Sequence, residues 1–151
     1  MIYTVGEMAK MLNVAPSTLR YYDKEGLLPF VERSGSGMRM FKEADFEWLF
    51  IIDCLKKTGM PIKDIRNFIE MVMKGDETIG ERLELFRKQR KAVEEQISQL
   101  QATLDILNYK CWYYETAKKA GTTAVPREMN IAEVPEQMRH IKEMLQKAHT
   151  V

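Results

Sequence analysis

Ile79, Leu83, Phe86, Arg90, Val93, Ile97, Leu100, Leu104, Leu107, Cys111 and Tyr114 follow one another at alternating intervals of four and three residues. A pattern of that period lines one edge of an α-helix, and about five heptads in unbroken register mark a coiled coil. Arg90 is the single charged member, while the flanks are rich in Glu, Gln, Lys and Arg, as a solvated helix requires. At about 1.5 Å per residue such a helix reaches some 55 Å. A chain of 151 residues cannot cover a stripe of that length by itself, so a second copy is the expected partner. Leu83, Phe86, Val93, Ile97, Leu100, Leu104 and Leu107 are the expected dimerisation residues, and Gly121 ends the helix.

The chain ahead of this helix reads as short elements. Thr4-Val5-Gly6-Glu7 fits a capping box, and Val5, Met8, Ala9 and Leu12 give the helix behind it one apolar face. Asn13-Val14-Ala15 breaks that helix. Pro16 suits the first position of a second helix, where its missing N–H would have no partner. This helix runs to about Glu25, turns Leu19 and Tyr22 inward, and stops at Gly26. Two short helices joined this way match a helix-turn-helix. Leu27–Val31 and Met38–Phe41 flank the turn-forming Ser34-Gly35-Ser36-Gly37 and predict a β-hairpin wing, with Pro29 weakening its first strand. A third helix is expected over Glu43–Thr58, burying Trp48, Leu49, Ile52 and Leu55. A fourth begins near Pro61 with Ile62, Ile65, Ile69 and Val72 on one side.

The expected fold is therefore mainly α. A winged helix-turn-helix domain over 1–75 precedes a long coiled-coil dimerisation helix over 76–120. Residues 121–151 form a polar tail with one short amphipathic helix that uses Val134, Met138, Ile141 and Leu145.

Composition narrows the function classes. With 45% hydrophobic and 30% charged residues, the chain fits a soluble helical protein rather than a disordered one. No apolar run approaches the roughly 20 residues of a membrane span, and Thr4, Glu7 and Lys10 interrupt any signal-peptide pattern. These features predict a cytoplasmic protein. Cys54 and Cys111 are far apart, and with His140 and His149 they form no metal-ligand cluster, so no metal or cofactor is expected. No nucleophile–base pair, phosphate loop or paired carboxylates can be assembled, which argues against an enzyme. The net charge of +1 does not advertise a nucleic-acid binder, yet binders need only local positive charge. Between Pro16 and Lys42, Arg20, Lys24, Arg33, Arg39 and Lys42 outnumber Asp23, Glu25 and Glu32.

Three runs, Thr4-Val5-Gly6-Glu7-Met8-Ala9, Thr18-Leu19-Arg20-Tyr21-Tyr22-Asp23 and Gly26-Leu27-Leu28-Pro29, resemble the N-terminal domain of MerR-family regulators. The wing ending in Arg39, the stretch Leu55-Lys56-Lys57-Thr58-Gly59-Met60-Pro61-Ile62 and the heptad helix continue the likeness in order, to about residue 118. The resemblance implies a homodimer whose long helices pair antiparallel on a palindromic double-stranded promoter element. It also implies RNA polymerase on the same promoter, and an effector-dependent bending and untwisting of the duplex.

Carried over residue by residue, it places Thr18, Arg20 and Tyr21 on the recognition helix as DNA contacts, with Arg39 and Lys56 gripping the backbone. Ala15 stands where the family often has a Ser or Thr cap, and Met38 and Phe41 where it usually has Tyr. Cys54 is the candidate sensor. Some relatives that respond to aldehydes carry a cysteine in this part of the same helix, and nearby Lys56 and Lys57 would favour a thiolate. The alternative is a small packing residue. Cys111, on the seam, is expected to be a buried thiol, and Trp112-Tyr113-Tyr114 either packs or borders a ligand site. The paired cysteines of metal sensors are absent, and about 30 residues after Gly121 are too few for a large ligand domain, so the small-molecule effector is left unnamed. The competing readings are a coiled-coil interaction adaptor, or a MerR-like regulator controlled by a non-covalent ligand or a protein partner.

Overall fold

The computed structural model describes residues 1–148 of the chain. His149 lies outside the described residues. The chain divides into two compact units, residues 1–92 and 93–151, and the division falls inside one long helix.

In the first unit β1 (Ile2–Tyr3) leads into α1 (Val5–Leu12). The capping box forms as expected: the Thr4 N–H donates to Glu7 at 2.7 Å, and the Glu7 N–H donates to the Thr4 hydroxyl at 3.3 Å. The Thr4 N–H and the Thr4 hydroxyl, which donates to the same carboxylate at 2.9 Å, stabilise the charged Glu7 side chain and hold its pKa below the ordinary value. Asn13 closes α1 in the left-handed conformation at φ 56°, a geometry that asparagine tolerates better than most residues. Next come α2 (Pro16–Lys24), β2 (Glu32–Arg33), β3 (Arg39–Lys42), α3 (Asp45–Lys57) and α4 (Ile62–Lys74). A 3₁₀ turn, Asp76–Thr78, then opens into α5 (Ile79–Ala120).

The wing departs from its expected form in two ways. Its first strand is Glu32–Arg33 rather than Leu27–Val31, because Leu27 and Leu28 turn into the core and Pro29 has no N–H to give a ladder. It also has a third strand: β1 pairs antiparallel with β3, so the sheet order is β1-β3-β2. Two residues are too few to show alternation, which is why β1 left no mark in the sequence pattern.

One hydrophobic core holds the helix-turn-helix, wing and α3–α4 together. Met8, Leu19, Tyr22, Phe41, Leu49, Ile52 and Ile65 are each no more than 1% exposed. Burying side chains of this size contributes roughly 1.5–3 kcal/mol apiece. Trp48, expected in the buried stripe, is half-buried, whereas Phe68 on α4 is buried, tilted against Trp48 and edge-on to Phe86 of α5.

Along α5 the expected seam stays uncovered on the single chain. Leu83, Phe86, Ile97, Leu100, Leu104 and Leu107 are exposed, Leu100 by 69%, while Val93 is half-buried. Cys111, expected to be a buried thiol on the seam, is likewise exposed on the single chain.

The second unit contains the end of α5, then α6 (Ala124–Glu128), two 3₁₀ turns (Ile131–Glu133 and Glu136–Met138) and α7 (Arg139–Lys147). The tail is thus more structured than the single helix expected. Val134 is buried but precedes α7, and Met138 and Leu145 are only half-buried. Tyr109, Ala117, Pro126, Val134 and Ile141 are the buried apolar side chains. Lys142 is also buried, and its ammonium donates to the carbonyls of Pro126 at 3.0 Å and Met129 at 2.7 Å. Those carbonyls lie at the end of α6, where a cation also suits the helix dipole.

A candidate nucleic-acid interface

The surface of α2 is built by its own periodicity. Leu19 and Tyr22 are buried, which fixes the helix rotation and leaves Arg20 and Tyr21 exposed with Thr18 half-buried. Pro16 stands at the start, and Ala15 supplies no side-chain cap, as its identity implied. At the other end Gly26 adopts φ 75°, which lets the chain turn sharply. There Arg66 of α4 donates from Nε to the Glu25 carbonyl at 2.7 Å. Arg20 is exposed and makes no hydrogen bond or ion pair among the described residues, which leaves its five donors unsatisfied by the protein.

Lys56, on the last turn of α3, joins this face. Its ammonium lies 4.8 Å from the Tyr21 ring centre and 5.2 Å from that of Tyr22, within cation–π range. Beneath it the Tyr22 hydroxyl donates to Asp53 at 3.2 Å, and Asp53 pairs with Lys57 at 2.8 Å. Burial and the neighbouring Asp53 carboxylate together push the Tyr22 phenol well above its ordinary value. The Lys57 ammonium donates to the Asp53 carboxylate, and that hydrogen bond and the carboxylate charge hold its pKa above the ordinary value.

Arg39 also reaches α2, through Asp23. The Arg39 Nε and Nη2 atoms both lie 2.7 Å from one Asp23 oxygen, and Arg33 Nη2 lies 2.7 Å from the same atom. Arg33 and Asp23 were not singled out in the sequence. The signal was there in an acid near the end of α2 and two arginines flanking a hairpin turn. The wing also pairs Lys42 with Glu32 at 2.6 Å, which raises the Lys42 ammonium.

Thr18, Arg20, Tyr21, Arg39 and Lys56 are therefore drawn to one part of the first unit. Cys54 lies elsewhere on α3 and is exposed. The two lysines expected to favour its thiolate are held by other groups, Lys56 over the tyrosine rings and Lys57 by Asp53. In the second unit Trp112 and Tyr113 pack near Tyr109, and Tyr114 is exposed. Trp112 and Cys111 line an open groove of about 580 Å³ with Asp105, Asn108, Glu115, Gln137 and Met138. Among the described residues no group of three or more His, Cys, Asp or Glu side chains could hold a metal ion, and no helix is long and apolar enough to cross a membrane.

Residues 3–72 match the profile of the MerR HTH family regulatory protein, and residues 46–109 match that of the MerR DNA-binding region. A Haemophilus influenzae HTH-type transcriptional regulator is 45% identical, over 90% of this chain and 98% of its own. The chain belongs to the MerR family of helix-turn-helix regulators. It is a MerR-type DNA-binding transcriptional regulator. Among solved structures, HiNmlR, a MerR family regulator lacking the sensor domain and bound to promoter DNA, is similar with a TM-score of 0.77 and 46% identity, covering 83% of this chain and 96% of that one. A MerR family regulator from Bacillus thuringiensis has a TM-score of 0.69 at 43% identity, covering 74% and 97%. These relatives are regulators rather than enzymes.

The Tyr22 environment predicts a pH dependence for this MerR regulator. Its raised phenol keeps its proton in the folded state at pH values where an unfolded tyrosine, near 10.0, has released it. Stability is unaffected well below pH 10 and falls as pH rises past it, because the unfolded state then binds fewer protons. Denaturant unfolding of wild type and Tyr22→Phe between pH 9 and pH 11.5 should show a shallower decline in the variant. Parallel curves would contradict the Tyr22 assignment.

Proposed function

We propose that this regulator acts in the cytoplasm as a homodimer that sets two copies of α2 against a palindromic promoter element. RNA polymerase occupies the same promoter, and an effector changes how strongly the duplex is distorted. The exposed heptad stripe of α5 carries this reading. It is an apolar edge kept in register on a chain whose recognition helix has only nine residues. One such helix reads a few base pairs, whereas two read a half-site each. HiNmlR, bound to promoter DNA without a sensor domain, supports the reading for a chain of this length.

In this account Thr18, Arg20 and Tyr21 face the major groove, and Arg39 and Lys56 hold phosphates. Arg20 is suited to base contact because its guanidinium is exposed and not already paired. Bending the promoter costs about 1–6 kcal/mol, which phosphate contacts on both sides of the bend offset. Cys54 is the proposed sensor, an exposed thiol that can be modified directly by an electrophile such as a small aldehyde.

Arg20→Ala should lower affinity for the operator by about 1–3 kcal/mol and relax base preference where Arg20 docks, with the dimer intact. A footprint identical to wild type would contradict the assignment. For the sensor, transcription in vitro from the protein's own upstream promoter is expected to respond to a small aldehyde in wild type and not in Cys54→Ser. Equal responses would move the sensor away from Cys54.

A further inference from the structure

We propose that Asp23 is a positioning and specificity-determining residue for DNA binding, which locks the wing to the recognition helix and withholds two arginines from indiscriminate phosphate contact. The inference rests on the reading that α2 and the wing face the duplex.

The hairpin register sets Arg33 directly opposite Arg39. Like charges in that relation repel each other and would splay the strands. Asp23 removes the conflict. A single oxygen of its carboxylate receives Arg33 Nη2, Arg39 Nε and Arg39 Nη2, each at 2.7 Å. Arg33 also donates from Nη1 to the Gly37 carbonyl in the turn, at 3.0 Å. One carboxylate thereby connects the recognition helix, both wing strands and the turn between them. The Asp23 and Arg39 side chains are only 20% and 23% exposed, so this half of the joint is better shielded than a surface ion pair, while Arg33 is half exposed.

The joint acts in opposite directions on the two kinds of DNA binding. Non-specific affinity comes from cations that displace counterions at phosphates, and it rises with every cation that is free to do so. Specific affinity depends on contacts held in the correct register, which a preorganised wing supplies without an ordering cost on binding. Removing the carboxylate charge releases two guanidinium groups and unfastens the wing. Binding to an unrelated duplex should then strengthen while binding to the promoter weakens.

The test measures affinity for the protein's own upstream promoter duplex and for an unrelated duplex of equal length, across a range of salt. Asp23→Asn should bind the unrelated duplex about three- to tenfold more tightly at low salt, with a slope steeper by about 0.9 for each arginine that finds a phosphate. It should bind the promoter more weakly than wild type. Asp23→Glu, which keeps the charge, should restore most of the discrimination, and adding Arg33→Gln to Asp23→Asn should remove about half of the steepening. Unchanged slope and discrimination, or a parallel loss on both duplexes, would overturn the proposal. Should Asp23→Asn fail to fold, Arg33→Gln alone decides: weaker promoter binding with an unchanged slope on the unrelated duplex supports the joint, and unchanged promoter binding overturns it. Arg39→Gln separates this proposal from the reading beneath it. If that variant leaves binding to both duplexes unaltered, the wing does not touch DNA. If it weakens promoter binding while Asp23→Asn leaves discrimination intact, only the role of Asp23 fails.

Discussion

Leu83, Phe86, Ile97, Leu100, Leu104 and Leu107 lie exposed along α5, and removing apolar surface from water is worth about 25 cal/mol per Å². An isolated helix gains no such benefit, and its flanks of Glu, Gln, Lys and Arg keep it soluble without covering the stripe. The unbroken spacing of four and three also limits what can cover it, because knobs-into-holes packing requires a second helix in register. A second copy of the same helix satisfies that condition. In the function proposed above, this one packing requirement also pairs two recognition helices.

Within the first unit, burial and polar bonding divide the work. The core fixes how α2 is rotated by burying Leu19 and Tyr22, and this exposes Arg20 and Tyr21. Polar contacts then fix what surrounds that helix. Arg66 holds its end through the Glu25 carbonyl, Asp23 holds the wing, and Lys56 lies over the tyrosine rings. In the proposed function, such restraints hold the few DNA-facing side chains in the geometry that base contacts require.

The elements that were legible in the sequence are those with strong local signals. The α1 capping box, the Pro16 start of α2 and the long unbroken helix α5 each express a rule satisfied by near neighbours, and each appears in the structure. Strand β1 and the true start of the wing were not legible, because they depend on pairing with β3 and on Leu27 and Leu28 entering a core assembled elsewhere. The tail was only partly legible. Val134 and Ile141 carry the expected burial, but buried Lys142 depends on carbonyls 13 and 16 residues away. At the candidate interface, residue types pointed to Arg20, Tyr21 and Lys56. The Asp23 joint needed the hairpin register before its two arginines could be seen to converge.

Sedimentation equilibrium of the full chain, beside a variant carrying Leu100→Ser and Leu104→Ser, tests the central claim most directly. The account predicts a wild-type mass of twice 17.7 kDa at micromolar concentration and a variant at the single-chain mass, with its helix-turn-helix unit still folded. A wild type that sediments as a single chain, or a variant that keeps the dimer mass, would contradict it.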